Sequence, residues 1–139
     1  MRSLKPILLV EDDDVDALTV KRALKDLKIT NQLVRANNGE EALEFLKSES
    51  NEKPCVILLD LHMPKMDGIE FLKLAKADDT LKKIPVVMLT TSKDEQNKIE
   101  TFNLGVAGYM NKPTNYKKFV ETIRAIDMYW TLSELPSGE

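Results

Sequence analysis

The chain has 139 residues, 42% of them apolar and 31% charged, enough for one domain with a core of its own. A net charge of −3 and a pI near 5.3 argue against nucleic acid, whose backbone is gripped by clustered Lys and Arg. One cysteine excludes an internal disulfide, and the four apolar residues between Pro6 and Glu11 are too few for a signal peptide or a membrane span, so a cytoplasmic protein with no membrane partner is expected.

Ile7-Leu8-Leu9-Val10 reads as a first strand, cut off by Glu11-Asp12-Asp13-Asp14. A helix is expected over about 14–28, with Asp13 as its N-cap and the acids at the positive end of its dipole. Ala17, Val20, Leu24 and Leu27 share its apolar face, while Lys21, Arg22, Lys25 and Lys28 lie mostly off it. Residues 32–36 are more polar and suit an edge strand. Asn38 and Glu41 have the spacing of a capping box, opening a second helix that buries Ala42, Phe45 and Leu46. Pro54 leads into the central strand, an apolar run at 56–59 that ends in Asp60, with Cys55 at its start as a core thiol.

Pro64 breaks the chain after this strand, and Met66-Asp67-Gly68 turns it into a third helix reaching about Lys76, with Ile69, Leu72 and Ala75 inward. Residues 85–90 form a fourth strand ending in Thr90. Ser92 and Glu95 then cap a fourth helix with few apolar anchors, Ile99 and Phe102. A fifth strand at 106–110 precedes a fifth helix running from about Asn115 into the 130s, with Tyr116, Phe119, Ile123, Ile126 and Trp130 on its core face. Five β-α units imply an α/β fold: a five-stranded parallel sheet with helices on both faces, in the flavodoxin-like order 2-1-3-4-5. Residues 1–139 read as a single domain, with a core over about 5–130 and a short extension at 131–139. Nothing long enough to fold follows Pro136, so no attached output domain is expected.

In such a sheet the carboxyl ends of the strands lie side by side. They carry Glu11 and Asp12 from the first strand, Asp60 from the third, Thr90 from the fourth and Lys112 from the fifth. Three carboxylates in one crevice repel one another, and a hard divalent cation such as Mg2+ resolves this. With Lys112 added, three carboxylates, one ammonium and a dication sum to zero, which leaves room for an incoming anion. A phosphoryl group is the natural one. Asp60, at the centre, is placed to attack it and form an acyl phosphate, with the Thr90 hydroxyl donating to a phosphate oxygen. Taken singly, each residue has a plainer explanation: Asp60 as a loop cap, Thr90 as a strand-end hydroxyl, Tyr109 as core packing. Their convergence on one edge is what favours chemistry.

Leu-Leu-Val-Glu-Asp-Asp at 8–13, the 60–68 segment, Thr90-Thr91 and Gly108-Tyr109-Met110-Asn111-Lys112-Pro113 together resemble the receiver domain of two-component response regulators, over residues 5–124. The resemblance implies a phosphoacceptor rather than an enzyme: Asp60 takes a phosphoryl group from a sensor histidine kinase in a self-catalysed, Mg2+-dependent step. It further implies that Asp12 binds the metal directly and Glu11 through water. The backbone carbonyl of His62 is then another ligand, and the imidazole a spectator. Lys112 would hold the acyl phosphate, with Pro113 following through a cis peptide bond. Thr90 would move toward the phosphoryl group and Tyr109 inward behind it, altering the face of the fourth helix, fifth strand and fifth helix.

Two positions depart from the commonest family pattern. Glu11 is one methylene longer than the frequent Asp, and Thr91 is bulkier than the small residue often found there. The stretch from Met128-Tyr129-Trp130 to Leu135-Pro136 is similar to stand-alone regulators paired with phytochrome-type kinases. An apolar stripe of Ala125, Met128 and Leu132, with Tyr129 and Leu135 beside it, suggests a homodimer through the fifth helix.

Three rivals compete. A phosphohydrolase of the haloacid dehalogenase type, also working through an aspartyl phosphate, needs a second Asp where this chain has His62. A flavin-binding electron carrier needs a Gly- and hydroxyl-rich loop after the first strand, where this chain has four acids. A receiver-like module that is never phosphorylated has no use for Asp60, the acidic pair and Lys112 together.

Overall fold

Apolar runs of four or five residues satisfy their backbone only by pairing with one another, and here they do so in parallel. In the computed structural model, β1 (Ile7–Val10), β2 (Leu33–Ala36), β3 (Val56–Asp60), β4 (Val86–Thr90) and β5 (Gly108–Asn111) form one sheet in the order β2-β1-β3-β4-β5. The structure describes residues 5–61, 66–90, 106–111 and 115–126, with the backbone alone at Thr90, Asn111 and Ile126. Its helices are α1 (Asp14–Asp26), α2 (Gly39–Lys47), α3 (Gly68–Ala77) and α4 (Tyr116–Ile126), the last being the fifth helix of the sequence pattern. The expected fourth helix and its Ser92 cap lie outside the described residues.

Side chains alternate across the strands, so each strand feeds two cores. Leu8, Val10, Ile57, Leu59, Val86 and Met88 meet α2 and α3 on one face. Ile7, Leu9, Val56, Leu58, Val87, Leu89 and Met110 meet Val20 and Leu24 of α1 and Phe119 and Ile123 of α4 on the other. Both faces of the central strands are thereby covered, which is why they read as unbroken apolar runs. β2 takes the edge, as its polarity indicated. No helix among the described residues is long and apolar enough to cross a membrane.

The elements depart from the sequence pattern in local ways. Helix α1 stops at Asp26 because Lys28 turns left-handed, with φ of 59°. Lys28 N–H then donates to Lys25 O and Ile29 N–H to Leu24 O, both at 3.0 Å, the pairing of a Schellman stop. Leu27 is left half-buried and Ala23 takes the inward place. In α2 it is Leu43 that is buried and Phe45 that is half-exposed. Asn38 caps α2 by accepting from Glu41 N–H at 2.9 Å, but the return bond slips by one residue, Glu41 Oε1 accepting from Asn37 N–H. Cys55 stands one residue short of β3 and is half-buried, its Sγ 3.7 Å from Lys5 O, so it is not the core thiol expected. The register Val87↔Gly108 starts β5 two residues later than the apolar run suggested.

Gly68 has a packing reason for being glycine. It opens α3 directly against the end of β3, its N–H donating to Leu61 O at 2.9 Å. A Cβ there would lie 2.6 Å from Asp60 O and 2.9 Å from Leu61 Cα, both backbone atoms that cannot swing aside.

Two outcomes follow from this geometry. Lys28→Gly removes a left-handed L-residue at a helix stop and is expected to raise stability by about 0.5–1 kcal/mol, a Tm gain of about 2–4 °C in a calorimetric scan. Gly68→Ala forces β3 and α3 apart and is expected to cost about 1–3 kcal/mol in urea unfolding.

Candidate functional site

β1 and β3 are neighbours in the sheet although β2 lies between them in the chain. The chain therefore leaves the two strands in opposite directions, and a crevice opens between their carboxyl ends, the point where open α/β sheets take ligands. Glu11 and Asp12 follow β1 into this crevice, and Asp60 closes β3 beside them. One carboxylate oxygen from each of Glu11, Asp12 and Asp60 lies within 4.8 Å of the others. Glu11 and Asp60 are buried, at 0% and 1% exposure, while Asp12 sits exposed at the mouth.

The four consecutive acids do different things, and their neighbours decide which. Glu11 turns inward, its Oε2 accepting from Asp13 N–H at 3.2 Å. Asp12 stays at the crevice. Asp13 caps α1, its Oδ1 accepting from Val15 N–H at 2.8 Å and Asp16 N–H at 3.0 Å, as expected for an N-cap. Asp14 is drawn off by Arg35, whose Nη1 lies 2.8 Å from Asp14 Oδ1. Only Glu11 and Asp12 are therefore left to face Asp60.

Below Asp60 the backbone is held from two sides. Asp67 caps α3 by accepting from Glu70 N–H at 2.9 Å, and Gly68 seats that helix on the Asp60 carbonyl. Gly39 N–H donates to Met66 O at 3.2 Å, which joins the start of α2 to the same turn.

The oxygen set fits a hard divalent cation. Oxygens around an octahedral Mg2+ at about 2.1 Å span about 4 Å across the ion, close to the spread of these three groups. A donor set of carboxylates alone excludes a soft-metal preference. Two buried acids next to a third also favour positive charge nearby, since like charges in a low-dielectric crevice repel strongly.

Of the residues singled out in the sequence, Glu11, Asp12 and Asp60 are brought together. Thr90 ends β4 with Asn111 of β5 as its register partner, so the carboxyl ends of β4 and β5 lie at the same sheet edge. Tyr109 is half-buried and packs on the core facing α2 and α3. Ala125 is exposed on α4. Lys112, His62, Thr91, Pro113, Met128, Tyr129, Trp130, Leu132 and Leu135 lie outside the described residues. Sequence reasoning missed Arg35 and treated Gly68 only as a turn residue. The signal for Arg35 was available: a cation inside an edge strand, one position before the small residue that ends it.

Known proteins are similar to this chain in sequence and in fold. The family model described as the response regulator receiver domain matches residues 7–124. Response regulator Rcp1 of Synechocystis sp. is 39% identical over 130 residues, covering 91% of this chain and 88% of that protein. The chemotaxis protein CheY of Pseudomonas aeruginosa is 35% identical over 120 residues, covering 86% of this chain and 94% of that one. Among solved structures, the Mn(2+)-bound form of Rcp1 superposes with a TM-score of 0.80 at 38% identity, covering 94% of this chain and 97% of that one. The phosphorylated cyanobacterial phytochrome response regulator RcpA does so with a TM-score of 0.82 at 35% identity, covering 96% and 99%. The chain belongs to the response regulator receiver domain family, and within it resembles the phytochrome response regulators.

Proposed function

We propose that this protein is a phosphoacceptor of two-component signalling, with Asp60 as the residue that takes the phosphoryl group. The observation that supports this most is the placing of Glu11, Asp12 and Asp60 oxygens within 4.8 Å at the β1–β3 crevice. Asp60 presents a carboxylate oxygen as nucleophile, fixed by its place at the end of a buried strand and by Gly68 behind it. Glu11 and Asp12, with the His62 carbonyl, would hold Mg2+. Bound there, the cation would supply charge stabilisation to the phosphoryl oxygens. Lys112 pairs with the acyl phosphate, and Thr90 donates its hydroxyl to a phosphate oxygen. The group leaves again by hydrolysis, which returns Asp60 to its free carboxylate.

The donor is a sensor histidine kinase of the phytochrome type, in keeping with the regulators that this chain resembles. Residues 1–139 act as a stand-alone receiver in the cytoplasm, a reading supported by relatives matched over nearly their whole length. Signalling passes through Thr90 and Tyr109 to the face formed by β5, α4 and the segment before β5. The chain pairs with a second copy through Ala125, Met128, Tyr129 and Leu132. Ala125, the described member of that set, is exposed on α4.

Incubation with acetyl phosphate and Mg2+, followed by intact mass, is expected to show one added phosphoryl group. The addition is absent in Asp60→Asn, and Asp12→Ala slows it by more than roughly tenfold. Labelling that persists in Asp60→Asn overturns the assignment. In sedimentation velocity at micromolar concentration the wild type is expected to run as a dimer and Ala125→Glu as a monomer. A wild type that stays monomeric with and without a phosphate analogue removes the pairing.

A further inference from the structure

Arg35 occupies the third position of β2, in register with Leu9 of β1. That register puts it on the α1 side of the sheet, beside Leu33. From there it reaches over the end of β1. Its Nε donates to Glu11 O at 2.9 Å and its Nη1 to Asp14 Oδ1 at 2.8 Å. The N–H of Glu11 meanwhile donates to Ala36 O at 3.0 Å. Both polar groups of the Glu11 residue's backbone are thus tied to the edge strand, although the sheet has already ended there. The next fixed point along the chain is Asp13, capping α1. Asp12 hangs between these two anchors, so its direction into the crevice depends on both.

We infer that Arg35 is a positioning residue for the cation site, holding the backbone that presents Glu11 and Asp12. This rests on the phosphoacceptor reading of the crevice. A planar guanidinium offers N–H groups in a fixed fork, and here the fork bridges the Glu11 carbonyl and the Asp14 carboxylate. A lysine in its place offers three donors on one compact ammonium, without the rigid planar spacing that spans both acceptors.

The sign of the effect separates positioning from charge. Arg35 is a cation near an acidic cluster, so if it acted by charge alone its removal would tighten cation binding. If it holds the loop, its removal loosens binding, because the ligands are no longer preset. Isothermal titration of Mg2+ into the full chain decides between them, with melting temperatures recorded alongside. Arg35→Leu and Arg35→Lys are both expected to weaken Mg2+ roughly tenfold, in the range seen when groups that orient metal ligands are lost. Asp14→Asn is expected to change affinity less than roughly threefold, since Asn keeps an Oδ1 acceptor for Arg35 Nη1 and the charge lost is an exposed one.

Tighter binding in Arg35→Leu with no change in Arg35→Lys overturns the inference in favour of a charge effect. A lowered Tm with unchanged affinity in both overturns it in favour of a purely structural role. Should Arg35→Leu fail to fold, Arg35→Lys carries the decision, as it keeps the charge. A wild type that binds Mg2+ and loses it in Asp12→Ala, while the Arg35 variants match wild type, sinks this inference alone. A wild type that binds no Mg2+ sinks both this inference and the site on which it rests.

Discussion

Like charges held close together set the terms for the rest of this molecule. Two negative charges within 4.8 Å of each other repel by about 3 kcal/mol or more at an effective dielectric of about 20. Asp12 is exposed, so water screens its share and the buried pair of Glu11 and Asp60 bears most of the repulsion. Such a cluster survives only on a scaffold that cannot yield. Leu8, Leu9 and Val10 stand directly behind Glu11, and Ile57, Leu58 and Leu59 behind Asp60, all at 2% exposure or less. Each such side chain contributes about 1.5–3 kcal/mol on burial. Two apolar faces therefore hold one polar edge in place, and a cation or an arriving positive side chain relieves what strain remains.

Local devices then aim the acids. The chain leaves β1 through a pinned Glu11 and a capped α1, and leaves β3 through a turn seated on Gly68 and Met66. None of these devices is on the central strands themselves. They come from the edge strand and from the starts of α1, α2 and α3. The edge strand in particular is more than a sheet margin, because its register with β1 puts Arg35 within reach of the acidic loop.

Strand order, the edge position of β2 and the gathering of Glu11, Asp12 and Asp60 were legible in the sequence. Each follows from patterns that repeat along the chain: β-α alternation, apolar runs, and a carboxylate where a run stops. What was not legible depends on contacts between distant segments. Gly68 looks like any turn glycine until β3 is laid beneath it. Arg35 looks like a polar residue on a weak strand until the parallel register sets it beside Leu9. The left-handed turn at Lys28 was hidden for a different reason. A Schellman stop usually announces itself with Gly or Asn, and a lysine at that position continues the helical pattern by propensity.

On one face of the sheet two helices, α1 and α4, are joined to each other outside the core as well as within it. On one side α4 is joined to α1 through Phe119 and Ile123 in the core and through a polar clasp outside it. Tyr116 O–H donates to Asp26 Oδ2 at 2.5 Å, and the Arg22 guanidinium lies 4.5 Å over the Tyr116 ring. Desolvation first, and the Asp26 hydrogen bond second, raise the Tyr116 pKa. Because the folded value is raised, the clasp is fully present below tyrosine's ordinary range near about 10 and is lost only as pH climbs through that raised value. Throughout the neutral range α1 and α4 are therefore coupled. On the other side of β5, Tyr109 is only half-buried where it meets the core of α2 and α3, whereas Phe71 in the same core is fully enclosed. A half-buried ring gives up less apolar contact when it changes rotamer than an enclosed one. On its own face of the sheet α4 is fixed to α1 twice, once in the core and once by the polar clasp.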